Sequence, residues 1–459
     1  MKFSSDDTIA AVSTAPGRGG IALVRISGPQ AFEIGSTLGL AKGRPREALL
    51  SLIHDSRGRT LDRVLVTHFE NPHSYTGEDT IEISCHGGAL ISALIVDAAC
   101  SLGARVAGPG EFTKRAYLNG KLDLIQAEAT LDLIDSTSIA YHGSAMSHLS
   151  GALSGRVTAL RQRLLEVQAA IGYDIDFPEE DDGPIPIERI LSLAEGLKEE
   201  INYLLRHASE GTRLRSGALI AIFGRPNVGK SSLFNILQGS DRSIVTETPG
   251  TTRDAVEADI TIEGYPFTLV DTAGVRDDAE PIEELGIEIA RGYLDRADVV
   301  LLCVDHEGGA SRADLDLVKE IRQLGTTLII IRTKADLTDH HEGVVTMESR
   351  DELMGAAIPV SSITGEGLPE LCDALVQEMF ANLHASGEPA LVTRKRHIRA
   401  LESAKRDLKE FGSVVGRGYP MEISNTHLTA AADALESLIG ITDVEDVLDS
   451  IFQRFCVGK

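Results

Sequence analysis

One stretch constrains this chain more than any other. Gly217-Ala218-Leu219-Ile220-Ala221-Ile222-Phe223 is an apolar run of buried-strand type. It leads directly into Gly224-Arg225-Pro226-Asn227-Val228-Gly229-Lys230-Ser231 and then into helical Ser232-Leu233-Phe234-Asn235-Ile236-Leu237. A G-x-x-x-x-G-K-S loop between a strand and a helix is a phosphate cradle. Its glycines let successive backbone N–H groups turn toward a β-phosphate, and the helix adds the positive end of its dipole. Lys230 is placed to bridge the β- and γ-phosphates, and the Ser231 hydroxyl to ligate Mg²⁺. The nucleotide-contacting set of this loop is Asn227, Val228, Gly229, Lys230, Ser231 and Ser232. A plain glycine-rich turn before a helix is the competing reading.

Three further loops remove that competitor. Gly250-Thr251-Thr252-Arg253-Asp254 stands where a first switch belongs, with Thr252 as a second Mg²⁺ ligand. The strand Phe267-Thr268-Leu269-Val270 ends in Asp271-Thr272-Ala273-Gly274. There Asp271 can hold a magnesium-bound water and the Gly274 N–H can sense the γ-phosphate. Leu328-Ile329-Ile330-Ile331 leads to Thr333-Lys334-Ala335-Asp336. A carboxylate at Asp336 accepts from N1–H and N2–H of guanine, a donor pair adenine does not offer, and the Lys334 stem packs over the base. Backbone amides of Ser361 and Ser362, after the short strand before them, are expected to meet the guanine O6. The ligand is therefore GTP, not ATP. Thr333 stands where most guanine-specific loops have Asn, so weaker affinity with retained specificity is expected. Val275 is apolar where Ras-like proteins place a water-orienting glutamine, and no arginine finger is visible.

With 459 residues the chain is too long for one core. Residues 1–119 read as an α+β domain. Ile21 to Ile26 is one strand, and Thr80 to Cys85 alternates, with Ile81, Ile83 and Cys85 on one face and Thr80, Glu82 and Ser84 on the other. Residues 120–212 are helical, with Leu153, Val157, Leu160, Leu164, Val167 and Ile171 in one apolar stripe. Residues 213–381 alternate strand and helix, the pattern of a parallel α/β sheet. Residues 382–459 are helical again, with Leu428, Ala431, Leu435 and Leu438 in a stripe that Gly440 stops. Thr442-Asp443-Val444-Glu445 has the form of a capping box, opening a last helix with Val444, Val447, Leu448, Ile451 and Phe455 inward. The expected architecture is a multidomain α/β and α protein, with a P-loop domain inserted into a helical domain built from two chain segments.

The net charge of −25 argues against a protein that coats nucleic acid nonspecifically. No apolar run reaches membrane-spanning length, and the polar start lacks the core of a signal peptide. The five cysteines, Cys85, Cys100, Cys303, Cys372 and Cys456, form no C-x-x-C pair. Neither a disulfide framework nor a structural zinc site is expected, and the compartment is reducing cytoplasm. His86, beside Cys85, has no second ligand pair nearby and reads as a hydrogen-bonded histidine in a Gly-Gly turn.

Pro226-Asn227 together with Gly250-Thr251-Thr252-Arg253-Asp254 resembles the TrmE–Era–Der group of GTPases. The flanks narrow the resemblance: Pro16-Gly17-Arg18-Gly19-Gly20-Ile21, Cys85-His86-Gly87-Gly88, Gly110-Glu111-Phe112-Thr113-Lys114-Arg115-Ala116, Asn119-Gly120-Lys121-Leu122-Asp123 and the final Cys456-Val457-Gly458-Lys459. They are similar to the MnmE (TrmE) family of bacterial tRNA-modification GTPases along the whole chain. The resemblance implies a homodimer with an N-terminal folate-binding and dimerisation domain, a helical domain and an inserted Ras-like G domain. It implies work with the flavoprotein MnmG (GidA) to add an aminomethyl or carboxymethylaminomethyl group at C5 of the wobble uridine of certain tRNAs. A 5-formyl- or methylene-tetrahydrofolate is the implied one-carbon source.

The same resemblance assigns K⁺ to Asn227, Thr246, Thr248 and Thr251, with Thr246 and Thr251 also at the nucleotide, and water positioning to Glu283. A cation there delivers charge where an arginine finger does in other GTPases. It places folate on Arg25, Glu82, Lys121 and Lys459. From the residues alone, an ordinary ion pair between Arg25 and Glu82 is the simpler reading. Cys456 is expected on a flexible tail, its thiol serving the modification reaction, with simple packing as the alternative. The competing function is ribosome assembly of the Era or Der type. Those proteins carry a basic RNA-binding domain or a second G domain, and this chain shows one G domain followed by amphipathic helices.

Overall fold

The computed structural model describes residues 7–176, 186–239, 256–272, 291–305, 310–337, 357–441 and 445–459. The chain forms two compact units. One comprises Met1–Leu131, His148–Tyr173 and Asn425–Lys459, the other Asp132–Ser147 and Asp174–Ser424.

The first unit is built on a six-stranded sheet. Its strands are β1 (Ile9–Val12), β2 (Ile21–Ser27), β3 (Ala48–His54), β4 (Thr60–Phe69), β5 (Thr80–His86) and β6 (Arg105–Val106), in the order β3-β4-β5-β2-β1-β6. All neighbours are antiparallel except β1 and β6. Side chains alternate across a sheet, so Val24, Ile26, Val64, Val66, Ile81, Ile83 and Cys85 share one core with Ile34 and Ile95 of the helices Ala31–Thr37 and Ala89–Ser101. The opposite face carries Arg25 and Glu82, direct partners in the β2–β5 register. Thr80 departs from the expected polar face: it is buried, its hydroxyl within 3.2 Å of those of Ser27 and Thr76. The loop through Ser74 and Thr76 covers that end of the strand and supplies the partners a buried hydroxyl needs.

The stripe from Leu153 to Ile171 is buried throughout along the helix Ala152–Asp176. This helix meets Met421–Ile439 through an Arg161–Glu436 ion pair at 2.6 Å and a Gln168–Thr429 hydrogen bond at 3.0 Å. Gly440, at φ 78°, stops the second helix, and its carbonyl accepts from Tyr117 Oη at 2.5 Å. The last helix, Glu445–Phe452, buries Leu448, Ile451 and Phe452, with Phe455 beyond it, against Leu124, Ala127 and Leu131. Residues 442–444, and with them the expected capping box, lie outside the described residues, as does the side chain of Val447.

The second unit holds the other sheet: β7 (Ala218–Gly224), β8 (Val256–Ile262), β9 (Tyr265–Asp271), β10 (Val299–Asp305), β11 (Thr327–Thr333) and β12 (Ile358–Val360), in the order β12-β11-β10-β7-β9-β8. Every pair is parallel except the β8–β9 hairpin. In β10, Val299, Leu301 and Cys303 face one core while Val300, Leu302 and Val304 face the other. Both faces are covered, which is why the strand reads as one unbroken apolar run. Register then brings carboxyl-terminal strand ends together: Cys303 lies beside Gly224, Asp305 beside Thr333, and Thr333 beside Val360. Parallel sheets bind ligands at that edge.

Candidate functional site

At the end of β7 the chain turns through Gly224, at φ 146°. A Cβ there would lie 2.5 Å from the Cys303 carbonyl oxygen, so no other residue fits against β10. Asn227 and Gly229 also adopt positive φ, 60° and 106°, before the helix Lys230–Gly239 begins. Lys230 is 6% exposed, and its ammonium donates to the carbonyls of Gly224 and Arg225 at 2.9 and 2.8 Å. Ser231 Oγ donates to Asp271 Oδ2 at 2.8 Å, which brings together two hard oxygens of the kind Mg²⁺ takes. Thr272, next along, donates to the Ile222 carbonyl at 2.7 Å and so fixes the end of β9 to β7. Cys303 is fully buried behind this loop, and burial pushes its thiol up to about 12.

The base side is equally tied. Thr333 Oγ1 donates to the carbonyl of Val228 at 2.5 Å and lies 3.2 Å from that of Val304. The shorter side chain thus still reaches the phosphate loop. Lys334, at φ 58°, pairs with Asp305 at 3.3 Å, a partner the sequence reading did not anticipate. Asp336 Oδ1 accepts from Ser361 Oγ at 2.7 Å. Ser361 enters differently from expectation: its N–H goes to the Glu366 carbonyl at 3.0 Å, and its contribution at the base side is the hydroxyl that orients Asp336. A second unanticipated contact is Arg225 of the phosphate loop with Asp314, at 3.3 Å. Asp314 closes a capping box with Ser311 at the start of the helix Arg312–Leu324, and that S-x-x-D pattern is visible in the sequence. Thr246, Thr248, Thr251, Thr252, Ala273, Gly274 and Glu283 lie outside the described residues.

The first unit assembles a second site. Arg25 Nη2 and Nε meet Glu82 Oε1 at 2.7 and 3.0 Å, so the ion pair expected from the residues alone is formed. The pair is half-buried, and the guanidinium stands 5.2 Å from the Tyr75 ring centroid and 5.4 Å from that of Phe112. Neither aromatic was singled out in the sequence. Phe112 follows Glu111, whose side chain is 1% exposed and bonded to Arg105 and Arg115. Burial pushes the Glu111 carboxyl up, and the Arg105 and Arg115 guanidiniums together with the Gly108 N–H more than offset it, holding it below its ordinary range. Lys121 Nζ donates to the Pro72 carbonyl at 3.0 Å, beside the loop that carries Tyr75.

The C-terminal residues join this site, and here the expectation of a flexible tail is overturned. Val457 bridges Pro109 in antiparallel fashion, and the Phe112 N–H donates to the Lys459 carbonyl at 3.1 Å. Gly458, at φ 99°, lies so close to β1 that a Cβ would sit 2.2 Å from the Val12 carbonyl oxygen. This glycine supplies a close backbone approach rather than mobility. Cys456 is a free, exposed cysteine whose carbonyl accepts from the Gly110 N–H at 3.4 Å. At the far end of β5, His86 Nδ1 lies 2.8 Å from Asp62 Oδ1, and its backbone N–H meets Asp62 Oδ2 at 2.8 Å, as expected of a hydrogen-bonded histidine. Among the described residues no group of three or more His, Cys, Asp or Glu could hold a metal ion, and no helix is long and apolar enough to cross a membrane.

A phosphate loop, an oxygen pair suited to Mg²⁺ and an oriented carboxylate at the base side, all at one edge of a parallel sheet, define a P-loop GTPase. Family models match nearly the whole chain: "GTP-binding protein TrmE N-terminus" over residues 8–121 and "MnmE helical domain" over residues 124–456. The chain is 40% identical over 99% of its length to the tRNA modification GTPase MnmE of Moorella thermoacetica, covering 100% of that protein. It is 38% identical to that of Alkaliphilus metalliredigens and 37% to that of Thermotoga maritima, with 99% of this chain covered in each case and 99% and 100% of those proteins. The G domain of the T. maritima FeoB iron transporter aligns with 35% of this chain and 98% of its own, at 31% identity and a TM-score of 0.27. The chain belongs to the family of tRNA modification GTPases MnmE. That membership sets aside the ribosome-assembly alternative.

Proposed function

We propose that this protein is a K⁺-dependent GTPase that, with the flavoprotein MnmG, installs an aminomethyl or carboxymethylaminomethyl group at C5 of wobble uridine 34 in certain tRNAs. In this reading residues 1–119 hold the one-carbon donor, 213–381 hydrolyse GTP, and 120–212 with 382–459 form the helical domain. The protein acts in the cytoplasm as a homodimer in a hetero-oligomer with MnmG. Lys230 neutralises charge between the β- and γ-phosphates, Ser231 and Thr252 hold Mg²⁺, and Glu283 positions the attacking water. Asn227 with Thr246, Thr248 and Thr251 holds K⁺, which supplies positive charge in place of an arginine finger.

The observation that carries the folate part is the half-buried Arg25–Glu82 pair, its guanidinium near the Tyr75 and Phe112 rings, with the Lys459 carbonyl accepting from the Phe112 backbone N–H. An apolar wall with one carboxylate and nearby cations suits a flat heterocycle that offers N–H donors and carries an anionic tail. Tetrahydrofolate supplies the one-carbon unit, and Glu82, Arg25, Lys121 and Lys459 bind and orient it. Calorimetry of the isolated chain with 5-formyltetrahydrofolate tests this. Binding should be seen in the wild type and lost in Glu82→Gln, with GTP hydrolysis intact in both. A wild-type chain that fails to bind folate sinks the reading.

A further inference from the structure

The β8–β9 hairpin occupies a special place in the chain. Residues 250–254, read above as the first switch, precede β8 in the chain, and β9 ends at Asp271, whose carboxylate meets Ser231. The hairpin thus joins, along the chain, the segment read as the first switch to a carboxylate of the phosphate site. Its turn, Glu263-Gly264, lies at the far end of the same two strands, where both residues adopt positive φ.

That turn is bonded to a helix. The Gly264 carbonyl accepts from the Ala140 N–H at 3.1 Å, and Thr261 Oγ1 donates to the Thr137 carbonyl at 3.3 Å. Ala140 lies in the first turn of the helix Ile139–Leu149, where backbone N–H groups have no partner inside the helix, so the hairpin acts as its external cap. The next residue, Tyr141, bonds to Asp132, which is 1% exposed and also holds Arg394 at 2.6 Å and Arg215 at 3.3 Å. Arg215 closes the helix Ala208–Ser216 that runs into β7 and the phosphate loop. The helix is thus held through Tyr141 on one side and by the hairpin turn at its start. Beside the turn lies a cavity of about 410 Å³, lined by Gly143, Leu214, Tyr265, Leu383 and Pro389 among others.

We infer that the hairpin turn is a relay: the nucleotide state sets whether the Gly264 carbonyl caps the helix Ile139–Leu149 and Thr261 holds the residues just before it. This rests on the reading of residues 250–254 as the first switch. The relay needs only that one nucleotide state favour the capped arrangement, since a ligand shifts an equilibrium by its differential affinity for the two states.

Hydrogen exchange of the full-length protein with GDP and with a non-hydrolysable GTP analogue tests both readings at once. Exchange at the Ala140 amide should differ by about tenfold or more between the two states. A switch segment that responds while Ala140 exchanges identically overturns the relay. A switch segment that does not respond overturns the first-switch reading, and the relay with it. A cross-link gives an independent readout. The Cβ of a residue at 264 would lie 3.6 Å from that of Ile139, within disulfide range. In Ile139→Cys/Gly264→Cys the oxidised form should differ from the reduced form by about fivefold or more in its GTP-to-GDP affinity ratio. Wild type oxidised in the same way controls for the native cysteines, and equal ratios in the two forms overturn the relay.

Discussion

The two sites of this molecule are made in opposite ways. The nucleotide site is made largely of backbone. Gly224, Asn227 and Gly229 bend one contiguous loop, and the neighbouring strand ends bring Asp271, Thr333 and Asp336 to it in an order set by parallel pairing. The second site is made of side chains from five separate places: Arg25 on β2, Glu82 on β5, Tyr75 and Lys121 in loops, and Phe112 at a helix start held by the tail. A contiguous loop carries its geometry in its own residue types, so it survives changes elsewhere. An assembled site depends on every segment that brings a member to it. The two should therefore fail independently, and in different ways.

The largest effect should appear at the assembled site alone. Cys456→Ser changes one atom on a tail whose path is held by backbone bonds to Gly110 and Phe112, so folding and folate binding should persist. If the thiol serves the modification reaction, wobble-uridine modification should collapse while K⁺-stimulated GTP hydrolysis continues. Mass spectrometry of tRNA from cells carrying only the Ser variant decides this, and normal modification would mean that the thiol has no part in the reaction. The mirror case is Asn227→Ala, which should touch the nucleotide site alone. Wild-type hydrolysis should be on the order of a hundredfold faster in KCl than in NaCl, as for removal of one transition-state donor, and the variant should not distinguish the salts. Equal wild-type rates in the two salts would break the cation assignment.

The same contrast explains what could be read in advance. The P-loop, Asp271 and the Thr333–Asp336 loop were legible because each lies in a short run whose spacing has one physical use. The apolar stripes of the helices were legible because period alone places them in a core. Tyr75 and Phe112 were not, because nothing local shows that a loop and a helix start will flank Arg25. Asp305 and Asp314 were missed for the same reason, since each meets its cation only through the fold. The tail was misread in an instructive way: Gly458 looked like freedom, yet its φ of 99° and the Val12 carbonyl behind it make it a requirement. Gly458→Ala turns that difference into a measurement. The added Cβ meets backbone that cannot move aside, a strain of about 1–3 kcal/mol. Folate affinity should fall on the order of tenfold, while GTP turnover keeps its wild-type rate. Equal folate affinity would show that the tail is dispensable to that site.

The smallest expected effect probes whether the nucleotide site is as self-contained as its contiguous loop suggests. Thr333 is the member that joins its two halves, because one hydroxyl carries the link from the base loop to the Val228 carbonyl of the phosphate loop. Thr333→Val keeps the shape and removes the donor. Neutral hydrogen bonds contribute about 0.5–1.5 kcal/mol net, so affinity for GTP and GDP should each fall about fivefold. The loss should be alike for both nucleotides, because the bond lies away from the γ-phosphate, and preference for guanine over adenine should be unchanged, because Asp336 keeps its Ser361 partner. Thr333→Ser restores the hydroxyl and should recover most of the affinity, whereas a purely steric role for the side chain would leave Ser worse than Val. Stopped-flow release of a fluorescent GDP from the three proteins separates these outcomes. A Val variant that releases nucleotide at the wild-type rate would mean that the phosphate loop holds its shape without the base loop.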